Sequence, residues 1–135
     1  MNYKIVDIEG VGNVYAEKLT AANIKNTDEL LAKCAKPAGR KELADATGIS
    51  PKLIMTWTNH ADLMRINGVG PQFSELLEAA GVDSVKEFKH RVPANLQAKM
   101  EEVNAQKHLV QRVPTVTEIE KMVAQAKELP AVVEY

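Results

Sequence analysis

At 135 residues the chain has room for one ordinary domain or two small ones. It is 45% hydrophobic and 26% charged with few aromatics, the make-up of a folded chain, and its net charge of −1 gives no general attraction to nucleic acid or acidic membranes. No apolar run approaches a membrane span, and the opening MNYKIVDIEG lacks the basic stretch and apolar core of a secretion signal. The lone Cys34 excludes an internal disulfide and suits a reducing cytosol, so a cytoplasmic location is expected.

In chain order, the first feature is YKIVDI (residues 3–8), the only stretch that reads as a short strand. It leads into IEGVGNVYAEKLTAANI (residues 8–24), a glycine turn followed by about three helical turns. Leu19 and Ala22 mark that helix's apolar side. Asn23 then takes the left-handed position that ends a helix, and Ile24 packs back on the helix end. A second helix opens at Asn26 with the capping sequence NTDE. A third spans roughly residues 39–47 and stops at Gly48-Ile49. A fourth opens at Ser50-Pro51 and carries Leu53, Ile54, Trp57, Ala61 and Met64 on one face.

The pattern then starts again. INGVGPQFSELLEAAGV (residues 66–82) repeats residues 8–24 at a shift of 58, pairing Gly10 with Gly68, Val11 with Val69, Gly12 with Gly70 and Leu19 with Leu77. Tyr15 meets Phe73, and Asn23 meets Gly81, an exchange between the two residue types that best tolerate a left-handed backbone. SVKE (residues 84–87) and TVTE (residues 115–118) supply further capping boxes. Ile119, Met122, Val123 and Ala126 match the fourth helix of the first half, but at a shift of 65. The slack lies in NAQKHLVQRVP, so the third helix of the second half is expected to be the longer one. The tail PAVVEY after Pro130 is expected to fray.

Each glycine turn precedes a helix, where free backbone N–H groups and the positive end of the helix dipole favour an anion. A backbone phosphate read in this way carries no base information, so binding would be independent of sequence. The pattern apolar–x–Gly–apolar–Gly–x–x–x–Ala–x–x–Leu resembles the helix-hairpin-helix motif of DNA ligases, repair nucleases and recombinase N-terminal domains. IEGVGNVYAEKL fits throughout, while INGVGPQFSELL departs once, at Ser74. Residues 27–57 resemble the remainder of a recombinase-type N-terminal domain, and the whole chain is similar to bacterial proteins of unknown function built from two such units. The resemblance implies phosphate contacts through the amides of Gly10, Val11 and Gly12, and of Gly68, Val69 and Gly70, helped in the first copy by Asn13 and Lys18.

The charges are mixed. Lys33, Lys36, Arg40 and Lys41 stand within nine residues with no acid between them and form a candidate phosphate-contacting patch or a solvated loop. Against this, Glu17 lies beside Lys18, and the second copy offers Pro71, Gln72, Glu75 and Glu78 where DNA-binding hairpins carry cations. His60, His90 and His108 have no metal-ligand spacing with Cys34, and no catalytic constellation is present, so no metal, cofactor or enzymatic activity is expected. Lys33 and Lys36 flank Cys34 and would lower its pKa if it were exposed, though a buried, inert thiol is the plainer reading.

These readings give an all-α protein of two tandem helix-hairpin-helix units, residues 1–65 and 66–130, with four short helices each, a frayed tail at 131–135, and one compact body overall. The expected function is a non-enzymatic, sequence-independent module that contacts DNA or RNA phosphates. The alternative is a protein–protein adaptor that keeps the scaffold without the binding.

Overall fold

The computed structural model describes residues 2–135, and among them it contains eight α-helices, one 3₁₀ turn and no strand. The helices are α1 (Gly12–Ala21), α2 (Thr27–Cys34), α3 (Pro37–Thr47), α4 (Pro51–Leu63), α5 (Pro71–Ala79), α6 (Val85–Phe88), α7 (Pro93–Lys107) and α8 (Val116–Glu128). Four of them begin on proline, whose missing N–H costs nothing in a first turn and whose fixed φ already suits the helix. The fold is all-α. The third helix of the second half is the longer of the two equivalents, 15 residues against 11.

Two compact units result, Met1–Asp62 with Val132–Tyr135, and Leu63–Ala131. The division falls three residues before the expected 65/66 boundary. In the first unit α1 packs on the 3₁₀ turn (Ile5–Asp7) and α2 on α3. Leu19, Leu30, Cys34, Ile54 and Trp57 are all at most 1% exposed there. In the second unit α5 and α8 pack on α7, and α6 on α8, with Leu76, Leu77, Phe88, Met100 and Ile119 fully buried. Each such Leu or Phe contributes about 1.5–3 kcal/mol relative to an exposed position.

The helix ends follow from local chemistry. At the end of α1, Ile24 N–H donates to Leu19 O at 2.8 Å and Asn23 N–H to Thr20 O at 3.0 Å. At the end of α5, Val82 N–H donates to Leu77 O at 2.8 Å and Gly81 N–H to Glu78 O at 3.0 Å. This is the paired bonding of a Schellman end, with Asn23 at φ 68° and Gly81 at φ 93°. The caps at Asn26 and Ser84 each accept from the backbone three residues on, at Glu29 and Glu87. Among the described residues full reciprocity occurs only at Thr115 and Glu118; Glu29 accepts from Lys25 N–H instead of the cap residue.

Two expectations are corrected. Residues 3–8 do not form a strand. Lys4 makes a single antiparallel bridge with Asn26, after which the chain coils into the 3₁₀ turn, burying Ile5 and Ile8 at a spacing of three instead of two. A longer ladder has no partner, because Asn26 is already the cap of α2. Nor is the tail frayed. Glu134 N–H donates to Ala35 O at 2.7 Å, its carbonyl accepts from Arg40 Nη2 at 2.7 Å, and Tyr135 OH reaches Asn59 Oδ1 at 2.7 Å. Arg40, buried in the first unit, needs acceptors that the tail helps to supply.

Candidate binding face of the first hairpin

Both glycine turns close with the same hydrogen bond, Val11 N–H to Ile8 O and Val69 N–H to Ile66 O, each at 3.1 Å. The third residue of each turn is Gly10 (φ 89°) or Gly68 (φ 91°), the positive φ that a type II turn requires and side chains resist. Val11 and Val69 turn inward and are at most 2% exposed, which anchors each turn to its unit. A residue at equivalent places in α4 and α8 covers each first glycine. A methyl added at Gly10 would lie 3.7 Å from Trp57 Nε1, and one at Gly68 would lie 3.2 Å from Met122 Cε. Trp57 and Met122 are 65 apart, the same shift that pairs their helices.

Beyond that point the copies diverge. Gly12 has φ 64° and opens α1, whereas Gly70 is extended (φ −98°, ψ −171°) and precedes α5. In the second copy Gln125 Oε1 accepts from Asn67 N–H at 3.0 Å, and Pro71 has no N–H to offer. Ser74 is fully buried, and its hydroxyl is satisfied by Pro71 O at 2.7 Å, so the departure from alanine is absorbed locally. In the first copy Gly10, Gly12 and Asn13 are exposed, and among the described residues no backbone acceptor meets their N–H groups outside the helix ladder. The N–H groups of Gly68 and Gly70 likewise meet no backbone acceptor among the described residues, so the second copy lacks only the donor that Pro71 replaces.

The cations are not gathered around it. Arg40 is 8% exposed, and its guanidinium is occupied by Cys34 O (2.8 Å), Ala35 O (3.2 Å) and Glu134 O. It is therefore a structural group of the first unit and no part of an open patch. Lys33 pairs with Glu42, whose carboxyl it pulls below the usual range, and Lys41 pairs with Asp45 at 3.0 Å. Lys36 is exposed. Lys18 is also exposed and stands over the ring of Tyr15, 5.9 Å from its centroid; Tyr15 meets Trp57 edge-on at 5.2 Å. Cys34 is fully buried, and burial pushes its thiol up against the opposing pull of Thr58 and the charges of Arg40 and Lys33.

The hairpin instead borders a groove of ≈ 610 Å³ lined by Val6, Asn13, Ala16, Glu17, Thr20 and Ala21. Val6 is 41% exposed, and Val14 in the first turn of α1 is 68% exposed. Sequence reasoning passed over both. The signal was present for Val14, which falls off the stripe of Val11, Tyr15, Leu19 and Ala22 and so has no inward place. Among the described residues no cluster of three or more His, Cys, Asp or Glu could hold a metal, and no helix is long and apolar enough to cross a membrane. Neither a curated protein nor a solved structure matches the chain. A family's sequence model does match, over residues 9–129, and the chain thereby belongs to the family described as a domain of unknown function, DUF4332.

Proposed function

We propose that the chain is a non-enzymatic protein-interaction module, built on a helix-hairpin-helix scaffold and working in the cytoplasm through the face of the first hairpin. One observation carries this reading: the groove beside the first hairpin is lined by Val6, Ala16 and Ala21 together with Asn13, Thr20 and the acidic Glu17, with Val6 exposed, while the cations of residues 33–41 are buried or paired apart from Lys36. Exposed apolar surface beside a rigid turn suits a protein partner. Phosphate would meet Glu17 within a turn and a half of the helix start, with Lys18 as the nearest cation in sequence.

A second reading, sequence-independent binding of DNA or RNA phosphates, is favoured by the open N–H groups of Gly10, Gly12 and Asn13. On that reading Lys18 and Lys36 would provide about two phosphate contacts, and the log–log salt slope would be near −2. The experiment is a pull-down from native lysate with and without nuclease, using wild type and Val14→Asp. The interaction reading expects a captured protein that survives nuclease and is lost in Val14→Asp. Capture abolished by nuclease, together with fluorescence anisotropy showing duplex or single-strand binding at about 50 mM salt, would replace it with the phosphate reading.

A further inference from the structure

The groove beside the first hairpin lies within the first unit, and five of its six lining residues come from α1. They stand at 13, 16, 17, 20 and 21, a spacing that puts them on one side of the helix. Asn13, Glu17 and Ala21 form one row four residues apart, and Ala16 with Thr20 forms the next. Val6 of the 3₁₀ turn completes the lining.

In the second copy the same positions are covered. At the shift of 58, Ala16, Glu17, Thr20 and Ala21 correspond to Ser74, Glu75, Glu78 and Ala79. Ser74 is fully buried and the other three are half-buried, and Glu75 and Glu78 are both engaged by other groups of the chain. There α7 packs against α5, whereas its counterpart α3 makes no comparable packing on α1. Of the four positions in the first copy, only Ala16 is even half-buried. The scaffold thus lays a helix against the hairpin helix in one unit, and in the other α1 has none so placed.

The charge around the opening points to the occupant. Between Val6 and Ala21 the chain carries Asp7, Glu9 and Glu17 against a single cation, Lys18. Among the described residues none of these three acids has an ion pair, and Lys18 stands over the ring of Tyr15. Acids on an entering segment would be repelled, while Lys or Arg would be drawn in with their apolar stems laid along the groove. We propose that the groove receives one amphipathic, basic helix of a partner protein. Its apolar ridge sits between the two rows of α1, and a Lys or Arg stands against Glu17. The small side chains of Ala16, Thr20 and Ala21 let the two axes approach to about 8 Å, the short end of the usual range. This assignment rests on the interaction reading and adds the chemistry of the partner.

The test selects peptides of about 15 residues, some four helical turns, from a random display library on the full-length protein. Enriched sequences should place apolar residues at helical spacing with Lys or Arg beside them, and circular dichroism should show them becoming helical on binding. Affinities are then read by fluorescence anisotropy. Thr20 and Glu17 are exposed, so replacing them leaves the core intact. Thr20→Lys adds bulk and a cation to the groove and should weaken binding at least about tenfold. Glu17→Gln should weaken it about two- to fivefold, and less in high salt. Enriched peptides without helical spacing, or with acids in place of cations, overturn the proposal, as does binding unchanged in Thr20→Lys. Failure of the broader reading looks different. A lysate protein lost in Val14→Asp but kept in Thr20→Lys overturns the helix alone, whereas capture abolished by nuclease overturns both.

Discussion

Four residues carry constraints that substitution or chemical modification would expose. A methyl group on Gly39 would lie 1.7 Å from Lys33 O and 3.0 Å from Lys33 C, so α2 and α3 approach as closely as they do only because position 39 has no side chain. Gly39→Ala should cost about 2–3 kcal/mol through forced separation of the two helices, read as a lower urea midpoint. A neutral Gly39→Ala would show that the helices are not this close in solution. At the Schellman ends, Gly81→Val should cost about 1–2 kcal/mol, because a β-branched residue resists φ 93° and its Cβ would crowd Arg91 Nη2 at 3.3 Å. Asn23→Gly should be neutral or mildly stabilising. Cys34 is fully buried with its thiol pushed up by burial, so a thiol reagent should modify it at the rate of unfolding and no faster. Rapid modification of the native protein would contradict the burial.

The helices were legible where their signals are local. The Pro51 start, the Asn26, Ser84 and Thr115 caps and the Asn23–Gly81 exchange all act within a turn or two, and each was found at its expected place, while the starts at Pro37 and Pro93 were not expected. What was misread depends on distant partners. YKIVDI meets its one bridge partner at Asn26, which is committed to α2, and Arg40 is withdrawn from solvent by Cys34 O and Ala35 O together with Glu134 O, 94 residues away. For the site, the turn could be read from Gly10 and Val11, whereas the pairing of Lys33 with Glu42 lies across the α2–α3 corner and has no local signature. The cap of α8 offers a test at this scale. Arg112 and the Thr115 amide hold the Glu118 carboxyl down from 4.5 to about 2. A carboxyl lowered on folding stabilises above its unfolded value, so this contribution should be present above about pH 4.5 and vanish as pH falls toward 2. An NMR titration should find the Glu118 midpoint near 2 in wild type and higher in Arg112→Ala. Equal midpoints would remove Arg112 as the cause.

At the scale of the whole chain, the repeat is one of scaffold and not of surface. Matching turns, matching helix ends and the Trp57–Met122 correspondence recur, yet in the second copy Gln125 holds the Asn67 N–H and Pro71 stands where Asn13 offers a donor. The first unit is also completed by residues that follow the second. Removing residues 132–135 should destabilise the first unit by about 1–3 kcal/mol, the cost of leaving a buried donor of Arg40 without its acceptor. An unchanged thermal midpoint for the shortened chain would show that water replaces Glu134 without loss.

Trp57 is the chain's single tryptophan, and it stands against Gly10 and edge-on to Tyr15, in the first unit. Its place in the second unit is taken by Met122, which does not fluoresce. Intrinsic emission excited at the red edge is thus an unlabelled reporter of one turn alone: it should respond when a partner settles on the first hairpin and register the melting of that unit, while the second melts in the dark.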